Sequence, residues 1–237
     1  MAVRQYPQSA DIPAICRLCA TRRSGLCGAL DVRQLAEVAK ASSRLEVPSG
    51  TELSDRETYS NILSGVVKLT RNLSNCRRQI VGLHFAPDFL GRPCEPRTLV
   101  RAQTVTEVAL CSFPRSIIDQ MVQESPRLGS WMLEHALDQL DEARDWITAL
   151  GRKTASERVA SFLLMIARNV DPAERSAASA SFELPLPRAD IADFLGMTIE
   201  TVSRELTRLR MDGVIGIVKK RHISLKDIGR LKDQCGD

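Results

Sequence analysis

The chain has 237 residues, enough for two domains of ordinary size, and its 43% hydrophobic and 26% charged residues suit a soluble protein with real cores. No apolar run approaches the roughly 20 residues that span a bilayer, and the start MAVRQYPQSADIPAIC lacks an apolar signal region. These features predict a cytoplasmic protein with no membrane partner; a net charge of +4 is too small to argue for nucleic acid by itself.

Seven cysteines in a reducing compartment point away from disulfides and toward metal, cluster or redox use. Residues 16–27 read CRLCATRRSGLC, so Cys16, Cys19 and Cys27 are spaced C-x2-C-x7-C. Two thiolates two residues apart can turn onto one metal, and a third from the following loop can close a face of the site. Arg17, Arg22 and Arg23 are expected to favour thiolate over thiol. A fourth ligand has to come from Cys76, Cys94, Cys111 or Cys235. Spacing alone leaves structural zinc, an iron–sulfur cluster and independent thiols all open.

Residues 44–112 are predicted to be β-rich. The segments RLEVPSGTEL, SNILSGVVKLTRN, RRQIVGLHFA and TVTEVALCSF are short and partly alternating, with turns marked by Pro48–Gly50, Gly65 and Asn72–Arg77, which suggests a sandwich or barrel-like roll. The period then changes. In WMLEHALDQLDEARDWITAL, residues 131–150, Leu133, Ala136, Leu140, Ala143, Ile147 and Leu150 recur at alternating spacings of three and four. That is a heptad seam, expected to pair with a second copy of the chain. Gly151 is expected to end or hinge this helix before the amphipathic stretch TASERVASFLLMIARN, and Asp171–Ser181 reads as a polar loop.

The most informative stretch is RADIADFLGMTIETVSRELTRLR, residues 188–210. Ile191, Phe194 and Leu195 form one short apolar face; Ile199, Val202, Leu206 and Leu209 form another. Gly196 permits a tight turn between them, Ala192 is small enough for two helices to cross, Val202 anchors the second helix, and Thr198 is its predicted N-cap. This is a helix-turn-helix whose second helix presents Glu200, Thr201, Ser203, Arg204 and Arg208 toward a major groove. From Arg204 to Arg221 six basic residues face two acidic ones, the footprint that phosphate binding requires. GVIGIVKKRHISLKD reads as a hairpin wing with Lys219, Lys220 and Arg221 at its tip and His222 solvated beside them.

Residues 16–230 resemble the CRP/FNR superfamily of dimeric transcription regulators. The resemblance is carried by FAPDFLG, by VRAQTVTEVAL (100–110), by the long helix, by TASERVASFL (154–163) and by TIETVSREL (198–206). The E-x-x-S-R pattern looks like the FNR branch, and the cysteine spacing resembles the FnrN/FixK-like oxygen-responsive regulators of α-proteobacteria. The resemblance implies an α+β fold: a cysteine-bearing segment (1–29), a cyclic-nucleotide-binding-like β-roll (30–120), a dimerisation helix (121–152) and a winged helix-turn-helix (153–237). It implies a [4Fe–4S] cluster, one per subunit, on Cys16, Cys19, Cys27 and, in ALCSFP, Cys111; zinc is the alternative. Cys94 and Cys76 are the less favoured fourth ligands, and Cys235 is expected to be disordered and unliganded.

The same resemblance implies an activator that binds an inverted repeat of a TTGAT-like half-site and contacts RNA polymerase, serving microaerobic, anaerobic or nitrogen-fixation genes. Arg204 is suited to guanine, Glu200 to a cytosine amino group and Ser203 to a thymine edge. Cyclic nucleotide is not expected, since Gly91 is followed by Arg92, and Pro96 and Arg97 stand where the cAMP-binding members have Arg-Ser. Haem is a weaker rival, with His84 as its only obvious β-roll ligand. One departure concerns the seam. The FNR branch has a dimer-opposing aspartate where this chain has Ala143, which implies a firmer dimer and a softer response to cluster loss. The alternative is a regulator of the same type, with structural zinc or another effector, that is not oxygen-gated. An enzyme is not expected: the three histidines (His84, His135, His222) lie near no nucleophile pattern, and no phosphate-cradling glycine loop is present.

Overall fold

The computed structural model describes residues 12–53, 57–74, 77–91, 100–170 and 178–236. The chain divides into two compact units, Met1–Val67 with His84–Leu140, and Lys68–Leu83 with Asp141–Asp237. No helix among the described residues is long and apolar enough to cross a membrane.

The first unit opens with a short helix, α1 (Ala14–Arg17), and a longer one, α2 (Val32–Ala41). A reciprocal cap starts α2: Gln34 N donates to Asp31 Oδ1 at 2.8 Å, and Asp31 N donates to Gln34 Oε1 at 3.1 Å. The strands that follow are β1 (Ser43–Val47), β2 (Glu52–Leu53), β3 (Thr58–Ser64), β4 (Val66–Asn72), β5 (Arg78–Phe85), β6 (Phe89–Leu90), β7 (Val100–Thr104) and β8 (Val108–Pro114). They form two sheets, in the orders β1-β8-β3-β6 and β2-β7-β4-β5. Ile62, Val67, Val108 and Leu110 pack between them with Leu53 and Ala102, so both sheets feed one core, as the expected roll requires. The segment SNILSGVVKLTRN is two strands that break at Gly65, as its turn signal predicts. Gly65 has φ +89, and a Cβ there would collide with Glu107 O, so the chain can turn only at a glycine.

A second core lies on the other side of β8 and gathers Leu26, Leu35, Tyr59, Phe89, Phe113, Ile118 and Leu128. It receives α2, α3 (Arg115–Glu124) and the first turns of α4 (Pro126–Arg152). Sequence spacing did not reveal α2 or α3, whose buried faces are only two residues each: Leu35 and Val38, Ile118 and Met121. The long helix starts at Pro126, which suits a first helical position because its missing N–H has no partner to lose there.

The second unit takes the end of α4, then α5 (Ala155–Val170), β9 (Ala180–Glu183), α6 (Arg188–Leu195), α7 (Ile199–Met211), β10 (Gly216–Val218), β11 (His222–Leu225) and α8 (Ile228–Asp233). Gly151 does not end α4, which continues to Arg152. The break comes at Thr154, where Glu157 accepts from Thr154 N at 2.6 Å and from its hydroxyl at 2.8 Å. The wing gains a third strand, in the order β10-β11-β9, so Ser181 lies in a strand and not in the expected loop; its hydroxyl meets His222 Nε2 at 2.8 Å. Val159, Phe162, Leu163 and Ile166 of α5 are fully buried, and Phe194 receives Phe162 at 5.9 Å and Trp146 at 4.5 Å between ring centroids. Cys235 is not in a loose tail. It is buried, and its thiol donates to Leu231 O at 3.4 Å, because α8 closes the bottom of this core.

The hairpin residues 68–83 belong to this unit through charge. Lys68 Nζ stands 2.6 Å from Asp190 Oδ2, and Arg78 Nη2 stands 2.6 Å from Asp190 Oδ1 and 2.7 Å from Asp193 Oδ2. Lys68 and Asp190 are each 8% exposed, so neither tolerates loss of the other without stranding a buried charge. Asp190→Ala is therefore expected to lower the unfolding free energy by about 3–5 kcal/mol in urea titration, and Arg78→Ala, at a 38% exposed site, by about 1 kcal/mol or less.

Candidate functional site

Three regions carry the candidate chemistry. The first is the amino-terminal thiols. Ile12, Leu26, Ala29 and Leu30 are buried in the second core, which fastens residues 12–30 to the roll by apolar contact. Cys16 lies in the last turn of α1, and Cys27 sits in a single 3-10 turn, Leu26–Gly28, between two glycines. A Cβ on Gly28 would collide with Arg23 O, and one on Gly25 would stand 3.2 Å from Thr21 O and 3.3 Å from Pro87 O. The wrap is therefore too tight for other residues to be accommodated freely. Arg127 Nη2 adds a hydrogen bond of 2.8 Å to Gly28 O.

Cys111 arrives from β8, where alternation turns Leu110 into one core and Cys111 toward the other. Cys16, Cys27 and Cys111 are half-buried against the same apolar cluster. Cys27 is pushed up to about 12 by burial first, then by Cys111, Cys16 and Cys19; the amide of Asn61, 3.6 Å from its sulfur, pulls the other way. Burial and then Cys111 and Cys19 also raise Cys16, and burial is the main cause that raises Cys111. The structure thus brings four thiols into mutual electrostatic reach. It also corrects the expectation about the arginines: Arg22 does favour the Cys16 thiolate, and Arg44 joins it, but burial and thiol–thiol repulsion outweigh both.

As thiolates these four sulfurs need a cation among them, and an all-sulfur donor set suits iron–sulfur or zinc. Among the described residues, no three His, Cys, Asp or Glu side chains converge on a single metal ion. A cluster is less demanding in this respect, since its cysteines bind different irons and stand further apart. Cys76, Cys94, Arg92, Pro96 and Arg97 lie outside the described residues. His84 is taken up by Asp88, with Nδ1 3.1 Å from Oδ2.

The second region is the outer face of α4. Leu133 is 62% exposed, Leu137 49%, Leu140 45% and Ile147 70%, with Ala136 and Ala143 also open and Leu150 half-buried. Leu137 was missed in the sequence because counting stepped from Ala136 to Leu140; the open stripe runs through both. The opposite face is used at home, with Trp131 and His135 against Phe89.

The third region is the helix-turn-helix. Gly196 caps α6 at φ 62 and ψ 42, Ala192 and Val202 are buried where the helices meet, and Thr198 Oγ1 accepts from Thr201 N at 3.2 Å. Of the expected apolar face, Val202, Leu206 and Leu209 are buried, but Ile199 is 46% exposed, since the first turn of α7 projects beyond the packed part. Glu200, Ser203, Arg204 and Arg208 all face solvent, while Thr201 is half-buried at the cap. The Glu200 carboxyl is lowered by its own backbone N–H and then by the Thr198 hydroxyl, so it remains an ionised acceptor.

Sequence reasoning missed two supporting residues. Glu205, its side chain 9% exposed, lies between Arg204 (Nε to Oε1, 3.3 Å) and Arg208 (Nη1 to Oε2, 3.8 Å) and orients both. Arg188 Nη2 donates to Lys220 O at 3.0 Å under the wing tip. At that tip Lys219 and Lys220 project outward. Arg221 turns back, its Nη2 donating to Leu184 O at 2.7 Å and Pro185 O at 3.0 Å, so its guanidinium serves the wing's own backbone.

Residues 157–234 match the Crp-like helix-turn-helix domain family. A "Probable transcriptional activator" of Rhizobium leguminosarum bv. viciae is 46% identical over 224 residues, covering 93% of this chain and 92% of that protein. The "Transcriptional activator protein FnrL" of Cereibacter sphaeroides is 36% identical over 237 residues, covering 96% and 95%. The structure of FixK2 from Bradyrhizobium japonicum superposes with a TM-score of 0.72 at 29% identity, over 81% of this chain and 96% of that one.

Thr198→Ala removes the hydroxyl that accepts from Thr201 N at the start of α7 and is expected to cost about 1 kcal/mol of stability, read from the urea midpoint of the full chain.

Proposed function

The chain belongs to the CRP/FNR family of DNA-binding transcription regulators, and from that premise we propose that it is an oxygen-responsive activator whose DNA binding is set by a [4Fe–4S] cluster, one per subunit. Transcriptional activation of the FNR/FixK type is the function of its relatives; the cluster and the oxygen gating are the proposal. The observation that carries it is that Cys16 of α1, Cys19 just after it, Cys27 of the 3-10 turn and Cys111 of β8 lie within electrostatic reach of one another.

Those four thiolates would hold the cluster, which when bound supplies positive iron charge for the sulfurs and a centre that oxygen can destroy. The chain's own residues turn this into a switch. With the thiolates held, residues 12–29 are tied to β8 through covalent ligands as well as through Leu26 and Leu30. The outer stripe of α4 then pairs with that of a second copy, giving a two-fold homodimer. Two α7 helices related by that axis fit an inverted repeat of TTGAT-like half-sites. Arg204 reads guanine, Glu200 accepts from cytosine and Ser203 touches thymine, while Lys219 and Lys220 contact phosphate and RNA polymerase is recruited nearby. Since a relative 37% identical over 221 residues is the "Nitrogen fixation regulation protein FixK" of Bradyrhizobium diazoefficiens, microaerobic and nitrogen-fixation genes are the proposed targets.

Anaerobic reconstitution tests the sensing half. The protein is expected to take up about four irons per chain with sulfide, to turn brown, and to lose colour and operator affinity in air, while Cys111→Ala fails to retain iron. Colourless protein, with zinc or no metal, that binds the operator equally with and without air overturns it. A second titration separates base reading from phosphate binding. Arg204→Ala is expected to lose about 1–3 kcal/mol of discrimination at one base pair, whereas Lys220→Ala weakens all sequences alike and flattens the salt slope by about 1.

A further inference from the structure

Asn61 is an odd residue for the middle of a buried strand. It is 3% exposed in β3, where asparagine is disfavoured, and its Oδ1 has no hydrogen-bond partner among the described residues. Such an orphan costs stability unless the other end of the amide has a use. That end is aimed at sulfur: Nδ2 donates to Cys27 Sγ at 3.6 Å. In the β3–β8 ladder Asn61 is also the residue directly opposite Cys111. One side chain therefore connects a sulfur of the amino-terminal segment to the strand position facing the β-roll sulfur. Gly25 packs beside it: a Cβ there would stand in ordinary contact, 3.7 Å from Asn61 Cγ, while crowding two carbonyl oxygens.

We propose that Asn61 is a positioning residue for Cys27, its amide N–H holding that sulfur as a ligand and drawing electron density from it. The inference rests on the four-cysteine reading above. A thiolate can only accept, so the donor end of the amide is the end that suits it, and a hydrogen bond to a charged acceptor is stronger than a neutral one. Donation to a cluster sulfur raises the reduction potential, which makes the centre harder for oxygen to oxidise. Asn61 thus sets how much oxygen the centre withstands, without itself being a ligand.

The test compares wild type with Asn61→Leu, which removes the donor together with the orphan oxygen and keeps the volume, and with Asn61→Asp, which is isosteric but carries no donor. All are reconstituted anaerobically, and iron, sulfide, reduction potential and the rate of bleaching in air are measured. The expected result is wild-type iron content in the Leu variant, a more negative potential, and bleaching roughly tenfold faster, with Asp shifting further in the same direction. A variant that keeps its circular dichroism but no longer holds iron also supports the proposal. A loaded variant with the wild-type potential and bleaching rate overturns it and leaves the cluster reading intact. Wild-type protein that takes up no iron and sulfide overturns both.

Discussion

Four sulfurs cannot share a half-buried corner as thiolates unless positive charge stands among them, and the amino-terminal architecture is built around that constraint. Burial raises Cys16, Cys27 and Cys111, and neighbouring thiols raise Cys16 and Cys27 further, so without a cation the protonated forms are favoured. The segment does not rely on the sulfurs alone. Ile12, Leu26 and Leu30 anchor it in the core shared by Tyr59, Phe89 and Phe113. Apolar packing sets where the segment lies, and the thiols set a charge state there. Thiols held this way lie near one another before anything binds, so the cluster proposed above would meet a lower ordering entropy.

The other surfaces are complementary halves of one requirement. A single α7 exposes only one short row of polar side chains, Glu200, Ser203 and Arg204, and under the proposed reading a longer DNA site needs that row twice. The stripe of Leu133, Leu137, Leu140 and Ile147 is apolar surface left uncovered by its own unit, on the helix that runs from one compact unit into the other. Between them the recognition helix is stiffened from behind. Asp190 and Asp193 of α6 engage Lys68 and Arg78, and Glu205 steadies two outward arginines from a buried position. Charges placed inside the domain serve to aim charges placed outside it.

What the sequence disclosed followed from locality. The turn at Gly196, the cap at Thr198 and the buried Ala192 and Val202 are fixed by residues a few positions apart, so spacing and residue type revealed them. The roll was legible as strands and turns, the break at Gly65 included. Helices α2 and α3 escaped notice because two buried residues each make too weak a periodic signal. Residues whose roles depend on distant partners were invisible: Asn61 beside Cys27, Asp190 beside Lys68, and Arg221 folded back onto Leu184. For the thiols the sign of the arginine effect was legible, as Arg22 beside Cys16 shows, but not that burial and neighbouring thiols outweigh it. Nearby arginines can be counted in a sequence, whereas burial cannot.

The wing tip shows what such a protein is willing to carry. Lys219 and Lys220 adopt φ of 49 and 66, consecutive left-handed residues in a turn where glycine or asparagine would sit without complaint. Each departs from the preference of its own backbone by about 1–2 kcal/mol. Two long cations held in a bend that glycine would adopt at no cost leave outward charge at the tip at the expense of local backbone ease.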